Sequence, residues 1–508
     1  TTITASLPGN SSNLQGLTSA QTSSSGSANG AALTLATNAL TVSKNSAVGT
    51  VTYAKGATNV KVGSFAFAAS SAEGVNLTNV TVLMSASSTD FQNLKLMDGS
   101  TQVGTTKSTL TGSDSVTFSG NVAVPAGGTK VLDVYADVLS SASAGTKTAL
   151  TTLSACNGTG ASTNSSISCP ASAAGQNVTV STGASMTVSV DSETAATKQV
   201  VMSSTGNSLA TFRFTETSNV ESVKVTDLIV HASSSAAAAG FENVTLYNGT
   251  TAVAGPVSAS STTNGYDYRF SFASPVVVPQ NGSVSLQLKG DVASYTSGGS
   301  TSNATYAFRL TSTSTSVVAL GSGSNAAVGV TFSPATPAGN VITTLRGKLS
   351  LAGAVTGATS GRVRAASDEI ANLTLSAAGN GGYDVTVNTL SLKFTGQAVT
   401  GTFQVDLIDP NTGAAWASAT GGSCAAGAST SCTATFTLTN GVVTAGSSKT
   451  LKVRVASSGF TNNSQTSDSM SVLVQNASDV DWGDGSTGTG LNLESTVVPV
   501  TVANISYE

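Results

Sequence analysis

The residues able to do chemistry in this chain are few, and they do not cluster. His231 is the only histidine, at the end of the strand-like run DLIVH before SSSAAAAG, so any Ser-His-Asp or Cys-His catalysis would have to pass through it. No nucleophile pattern surrounds it, and a hydrogen-bonded or solvated strand-end histidine accounts for it. Arg346-Gly347-Lys348 lacks the leading glycine and the following Ser/Thr of a phosphate-binding loop. The 25 acids do not group with aromatics as a glycosidase pair would, and Trp416 and Trp482 are the only tryptophans. The chain is expected not to be an enzyme.

One acidic run stands apart: Asp479-Val-Asp481-Trp-Gly-Asp484-Gly-Ser486. Closely spaced carboxylates in a glycine-containing loop offer the hard oxygen ligands that calcium takes. Asp479, Asp481 and Asp484 are therefore candidate calcium ligands, against a solvated turn as the competing reading. The spacing is not that of an EF-hand loop, and no glutamate closes it. Asp406 and Asp409 in DLIDPNTG are a second candidate pair, against Asp409-Pro410-Asn411 as a plain turn. No other cofactor is expected. The four cysteines form two local pairs, Cys156/Cys169 and Cys424/Cys432, in Ser/Gly/Ala-rich loops without a histidine nearby. Zinc sites favour tighter C-x₂₋₄-C spacing, so two loop-closing disulfides are expected, which places the chain in an oxidising, extracytoplasmic compartment. About fourteen Asn-x-Ser/Thr sequons occur, Asn76, Asn157, Asn248 and Asn281 among them. In so Ser/Thr-rich a chain many are accidental.

The elements that must carry these residues are strands. Charged residues make up 9% of the chain against roughly 25% in ordinary globular proteins, while the hydrophobic share is 39%. Disordered chains show the reverse balance. Val and Thr suit pleated strands and Gly and Asn suit turns, so the fold class is all-β. Net charge is −4 with no basic run, which disfavours nucleic acid, since phosphate binding needs a Lys/Arg face. No stretch approaches 18 apolar residues, so no membrane span is expected. Thr1 opens a polar segment, so the chain reads as a secreted product with its signal peptide already removed, or as a fragment.

Internal repetition organises the rest. VGSFAF (62–67), LATFRF (209–214) and IANLTL (370–375) each precede one apolar pattern: Val75, Leu77, Val80, Val82; then Val223, Val225, Leu228, Val230; then Val385, Val387, Leu390, Leu392. Period two breaks by one residue at Thr78–Asn79, Thr226–Asp227 and Asn388–Thr389. A bulge is expected at each, because a one-residue shift otherwise turns the apolar set to the wrong face. NLKLMDG, NVTLYNG and QVDLIDPNTG follow, with Asp98-Gly99 and Asn248-Gly249 as hairpin turns whose two residues both take positive φ. A repeat of about 150–160 residues is sandwich-sized. The expected architecture is three tandem immunoglobulin-like β-sandwiches in a rod: residues 31–176, 177–339 and 340–508, after a low-complexity extended segment over 1–30. The joins NVTVSTGASMTVSV (177–190) and NVITTLRGKLSL (340–351) read as continuous strands shared between neighbours.

The FxF opening, the NVxLYNG turn and the VxVP-x-x-G corner resemble Ig-like repeats in surface proteins of small-genome episymbiotic bacteria of the candidate phyla radiation. The Ser/Thr/Gly/Ala/Val-rich, acidic composition resembles bacterial surface-layer proteins. The resemblance covers about residues 35–508 and implies the fold and a cell-surface address, with no functional residue carried over. The expected function is a structural, self-assembling extracellular protein forming a surface-layer lattice, whose partner is itself, with a cell-envelope polymer or a host or neighbouring surface as a second contact. The alternative is a subunit of a filament, pilus or adhesive stalk. There the terminal strand, with Val498, Val500 and Val502 on one face, would add to a neighbour's sheet. A carbohydrate-binding accessory module is disfavoured by the scarcity of aromatics.

Overall fold

A computed structural model describes residues 2–9, 14–15, 18, 22–23, 26–34, 38–169, 172–296, 301–311, 313, 315–396, 401–424, 430–439, 441–459, 468–486 and 489–508. The described residues contain no α-helix; three short 3-10 turns, Ala86–Asp90, Ser457–Gly459 and Ala477–Asp479, punctuate strands. The chain divides into two compact units. One is Thr1–Ala184 with Ser218–Ser222 and Leu320–Val328; the other is Ser185–Thr217, Val223–Ala319 and Gly329–Glu508.

The first unit holds one sandwich. One sheet runs Ser115–Val124, Val75–Met84, Thr151–Gly160, Ser166–Ser168; the other runs Thr101–Thr109, Phe91–Asp98, Thr129–Val138, Val60–Ala69, Leu40–Lys44. Alternation sends every second side chain inward, so Phe65, Phe67, Val75, Leu77, Val80 and Val82 are all buried. Each such side chain contributes roughly 1.5–3 kcal/mol by leaving water. Ahead of this sandwich, the described residues of 2–34 pair as a nested antiparallel ladder: Thr2 with Thr34, Ser6 with Asn29 and Leu14 with Ser23. That differs from the extended segment expected over 1–30.

The second unit holds two sandwiches. The second sandwich has one sheet in the order Thr251–Val257, Phe241–Asn248, Ser283–Val292, Asn207–Glu216, Ser185–Val190, Gly329–Ser333. Its other sheet runs Lys198–Val201, Ile342–Leu345, Ala304–Arg309, Val223–Ser234, Gly265–Val278, Ser260–Thr262. In the third sandwich, Leu349–Val355, Asp368–Ala377, Ser448–Val455, Gly401–Ile408 and Ala415–Cys424 face a sheet of Thr430–Thr437, Val385–Gly396, Asp468–Val474 and Val500–Tyr507. Phe212, Phe214, Leu373 and Leu375 are buried, as the repeat requires.

All three expected bulges are present, with register shifts between Leu77 and Asn79, Val225 and Asp227, and Val387 and Thr389. The hairpins need one correction. Asp98 pairs with Thr101 and Asn248 with Thr251, so Gly99-Ser100 and Gly249-Thr250 are the central residues and only the glycines take positive φ, at 58° and 59°. Asp98 and Asn248 are the last residues of their strands. Glycine at the first central position is the demand of a type II′ turn.

The joins are also different from continuous strands. Val178–Ser181 pairs with Val51–Ala54 and Gly145–Lys147, whereas Ser185–Val190 belongs to the second sandwich. Ile342–Leu345 and Leu349–Val355 likewise join different sheets. Sheet membership therefore changes at residues 182–184 and 346–348, a few residues past the expected boundaries.

The terminal strand closes its own sandwich. Val500–Tyr507 pairs antiparallel with Asp468–Val474, Val502 is 1% exposed, and Val498 and Val500 pack half-buried against the same core. Its apolar face is thus spent internally rather than held for a neighbour's sheet. A lysine at 502 would place an ammonium in that core and unfold the sandwich.

Candidate functional site

Polar and aromatic side chains converge within the second unit where its two sandwiches meet, around the bend 346–348. Arg346 leaves the strand Ile342–Leu345 with its guanidinium 3.4 Å from the ring centre of Tyr383 and 4.5 Å from that of Tyr295. The two rings, one from each sandwich, meet edge-on with centroids 5.7 Å apart. A weakly hydrated planar cation suits a slot between aromatic faces.

At the same bend Asp484 is completely buried. One carboxylate oxygen accepts from Ser302 Oγ, from the Arg346 N–H at 3.0 Å and from the Gly347 N–H at 3.4 Å. The other accepts from the Ser486 N–H at 3.1 Å and Ser486 Oγ at 2.6 Å. A buried carboxylate is tolerable only when its lone pairs are met this way. Ser302 belongs to the second sandwich and Asp484 to the third, so one carboxylate fastens both to the link. A second bridge lies alongside: Lys348 Nζ donates to Glu494 at 2.6 Å and to the Gln199 carbonyl at 2.9 Å, and Gln199 Nε2 donates to the Asn492 carbonyl. Burial pushes the nearby Lys198 ammonium below the usual lysine range, and Lys348 adds to this against the pull of Glu494. The site can hold two sandwiches in register; it holds no nucleophile–base pair.

The candidate calcium ligands are not brought together. Asp479 caps its own turn by accepting from the Gln475 and Asn476 N–H groups at 3.0 and 2.8 Å. Asp481 accepts from the Gly490 N–H at 2.5 Å and from Asn388 at 3.3 Å, while Asp484 faces the junction. No group of three acids, histidines or cysteines suited to a metal occurs among the described residues. The three sit in different local structure: Asp479 ends the turn Ala477–Asp479, Asp481 lies on the strand Val480–Gly483 and Asp484 follows that strand, so each meets different partners.

Cys156 and Cys169 are disulfide-bonded, with Cα atoms 5.0 Å apart. Cys432 is disulfide-bonded, and the side chain of Cys424, its expected partner, lies outside the described residues. His231 Nδ1 is 2.9 Å from Asp267 on the adjacent strand, the hydrogen-bonded strand histidine its sequence context implies. Asp406 is buried and ion-paired to Arg454 at 2.7 Å, and Asp409 forms the expected turn by accepting from the Asn411 N–H. Sequence reasoning passed over Arg346, Tyr295, Tyr383 and Ser302. Arg-Gly-Lys inside an otherwise apolar join was the available signal, since charge is scarce and a cluster of it between domains needs a partner.

No protein-family model matches the chain, and no curated protein does, so the resemblance to surface-layer and episymbiont repeats gains nothing there. Solved structures similar to it include the full-length major pilin SpaD of Corynebacterium diphtheriae, at 11% identity over 89% of this chain and 92% of the pilin, with a TM-score of 0.18. A protein from the same organism described as membrane-anchored matches at 9% identity over 100% and 97%, with a TM-score of 0.16. The major pilin subunit of Bacillus cereus matches at 7% identity over 92% and 95%, with a TM-score of 0.15. Likenesses at this level establish neither family nor function. No helix among the described residues is long and apolar enough to cross a membrane.

Proposed function

We propose that this chain is a structural protein of the cell exterior that assembles with copies of itself into a surface-layer lattice. The observation that carries the reading is the fastening at residues 346–348, where a buried carboxylate, a cation between two tyrosines and a lysine–glutamate bridge join consecutive sandwiches. A binding or catalytic module gains little from such a joint, whereas a lattice subunit needs fixed spacing between repeated contact surfaces. The Cys156–Cys169 disulfide supports an oxidising address. Low surface charge supports close packing of like molecules. Negative-stain images of the purified protein should contain sheets. Fibres would favour the filament alternative. Dispersed particles at all concentrations would overturn self-assembly.

A further inference from the structure

We infer that the edge strand Gly329–Ser333 pairs antiparallel with the same strand of a second copy, about a two-fold axis at Thr331. This deepens, and rests on, the reading of the chain as self-assembling. The strand ends its sheet: it pairs parallel with Ser185–Val190 on one side and has no strand partner on the other among the described residues. A row of unpaired N–H and C=O groups is a template for another strand, and proteins usually blunt such edges with charge, proline or a bulge. The opposite edge of the same sheet, Thr251–Val257, is blunted by Pro256 and two register shifts. The edge strand Thr101–Thr109 carries Lys107, and its pairing also shifts register. Gly329–Ser333 (GVTFS) has none of these protections, and no charged residue or histidine lies between Arg309 and Arg346.

The occupant follows from the side chains. Val330 and Phe332 sit opposite Met186 and Val188, which are wholly buried, yet they remain half-exposed because the core ends at this strand. Antiparallel self-pairing centred on Thr331 sets each Val330 against a Phe332 of the second copy. That is a β-branched–aromatic pair of the kind that stabilises sheets, and it would cover the open rim of both cores. On the other face Thr331 meets its own counterpart, as it already meets Thr187 with hydroxyls 2.9 Å apart. Arg213 is two strands inward, opposite Ser189, so like charges do not face each other across the axis. Five residues a side fall far short of the roughly 800 Å² per partner of a stable interface. The contact is thus weak alone and effective inside an array.

Cysteine cross-linking of the full chain tests it. Directly opposed antiparallel residues lie about 4.5–5.5 Å apart at Cα, within disulfide reach. Thr331→Cys should therefore give covalent dimers under mild oxidation, while Thr187→Cys, one strand inward on the same face, should not. Thr331→Lys alone should lose assembly, and mixing it with Thr331→Glu should restore it. If Thr331→Cys stays monomeric, or Thr187→Cys links equally well, while the parent still forms sheets, the edge pairing is wrong and self-assembly survives. If Thr331→Cys cross-links but the parent forms neither sheets nor fibres, the pairing stands and the lattice reading fails.

Discussion

Asp484 and Glu73 show how single carboxylates are used in this charge-poor chain. Replacing Asp484 by alanine would leave the buried Ser302 Oγ and Gly347 N–H without their acceptor, while the Arg346 N–H keeps Ser302 Oγ at 3.0 Å and the exposed Ser486 turns to water. Each stranded group costs about 1–3 kcal/mol. Calorimetry of the full chain should show the melting of the second unit lowered by about 5 °C for a loss of about 3 kcal/mol. A midpoint unchanged by Asp484→Ala would mean the junction is not fastened there. Glu73 accepts from Thr163 Oγ1 at 2.7 Å, from the Ser162 and Thr163 N–H groups, and from Asn38. The Thr163 hydroxyl first and the Ser162 amide next hold its carboxyl below the usual glutamate range. A carboxyl so depressed stabilises above its unfolded value, about 4.3, and that stability is lost as pH falls through the folded value. Thermal melts from pH 7 to pH 3 should therefore show Glu73→Gln destabilised at neutral pH and converging with the parent in acid. A constant difference would count against this assignment.

At the level of elements, the third sandwich depends on a close approach that only glycine allows. A Cβ on Gly353 would lie 2.4 Å from the Cα of Val502 and 2.5 Å from the Thr501 carbonyl oxygen, both backbone atoms of the terminal strand. Gly353→Ala should therefore cost about 1–3 kcal/mol by overpacking, whereas Gly49→Ala, with nothing within 4 Å of the added carbon, should be neutral. Chemical denaturation of both variants checks this. The end of the same strand is held by Tyr507, whose hydroxyl donates to Asp368 at 2.8 Å, while Arg362 pairs with Asp368 at 2.5 Å. Burial first and the Asp368 carboxylate next push the Tyr507 phenol well above the usual tyrosine range, so it stays a donor at any ordinary pH. These contacts explain why an alternating strand at 497–508, readable as one with an apolar face, serves its own core.

For the whole molecule, assembly is the property to measure. The antiparallel ladder within residues 2–34 is two-stranded, and an isolated two-stranded ribbon is marginal in water. Ile3 and Leu33 sit opposite each other in it, 53% and 63% exposed. An apolar pair on a marginal ribbon is stabilised by a surface to lie on. Deleting residues 1–30 should therefore abolish sheets in negative stain while leaving the melting of the sandwiches unchanged. Sheets that persist in the truncated protein would assign assembly to the sandwich surfaces alone, the edge at Gly329–Ser333 among them.

The sequence by itself determined the strands, their inward faces and their three bulges. Those follow from period-two patterning, and three copies of one pattern with one phase error leave little freedom for Val75, Val223 and Val385 or their neighbours. It also pointed to the Cys156–Cys169 bridge, because a short loop brings its ends together whatever the rest of the chain does. Only the tertiary structure decided which partner each polar side chain meets. Ser302 reaches Asp484 across 182 positions, and Tyr295 reaches Tyr383 around Arg346. No local spacing encodes such meetings, because they depend on how two sandwiches present their ends to each other. For the same reason three nearby aspartates that resembled a calcium loop were divided among a turn, a neighbouring loop and the junction: one ends a turn, one lies on a strand and one follows it, and each finds its own partners.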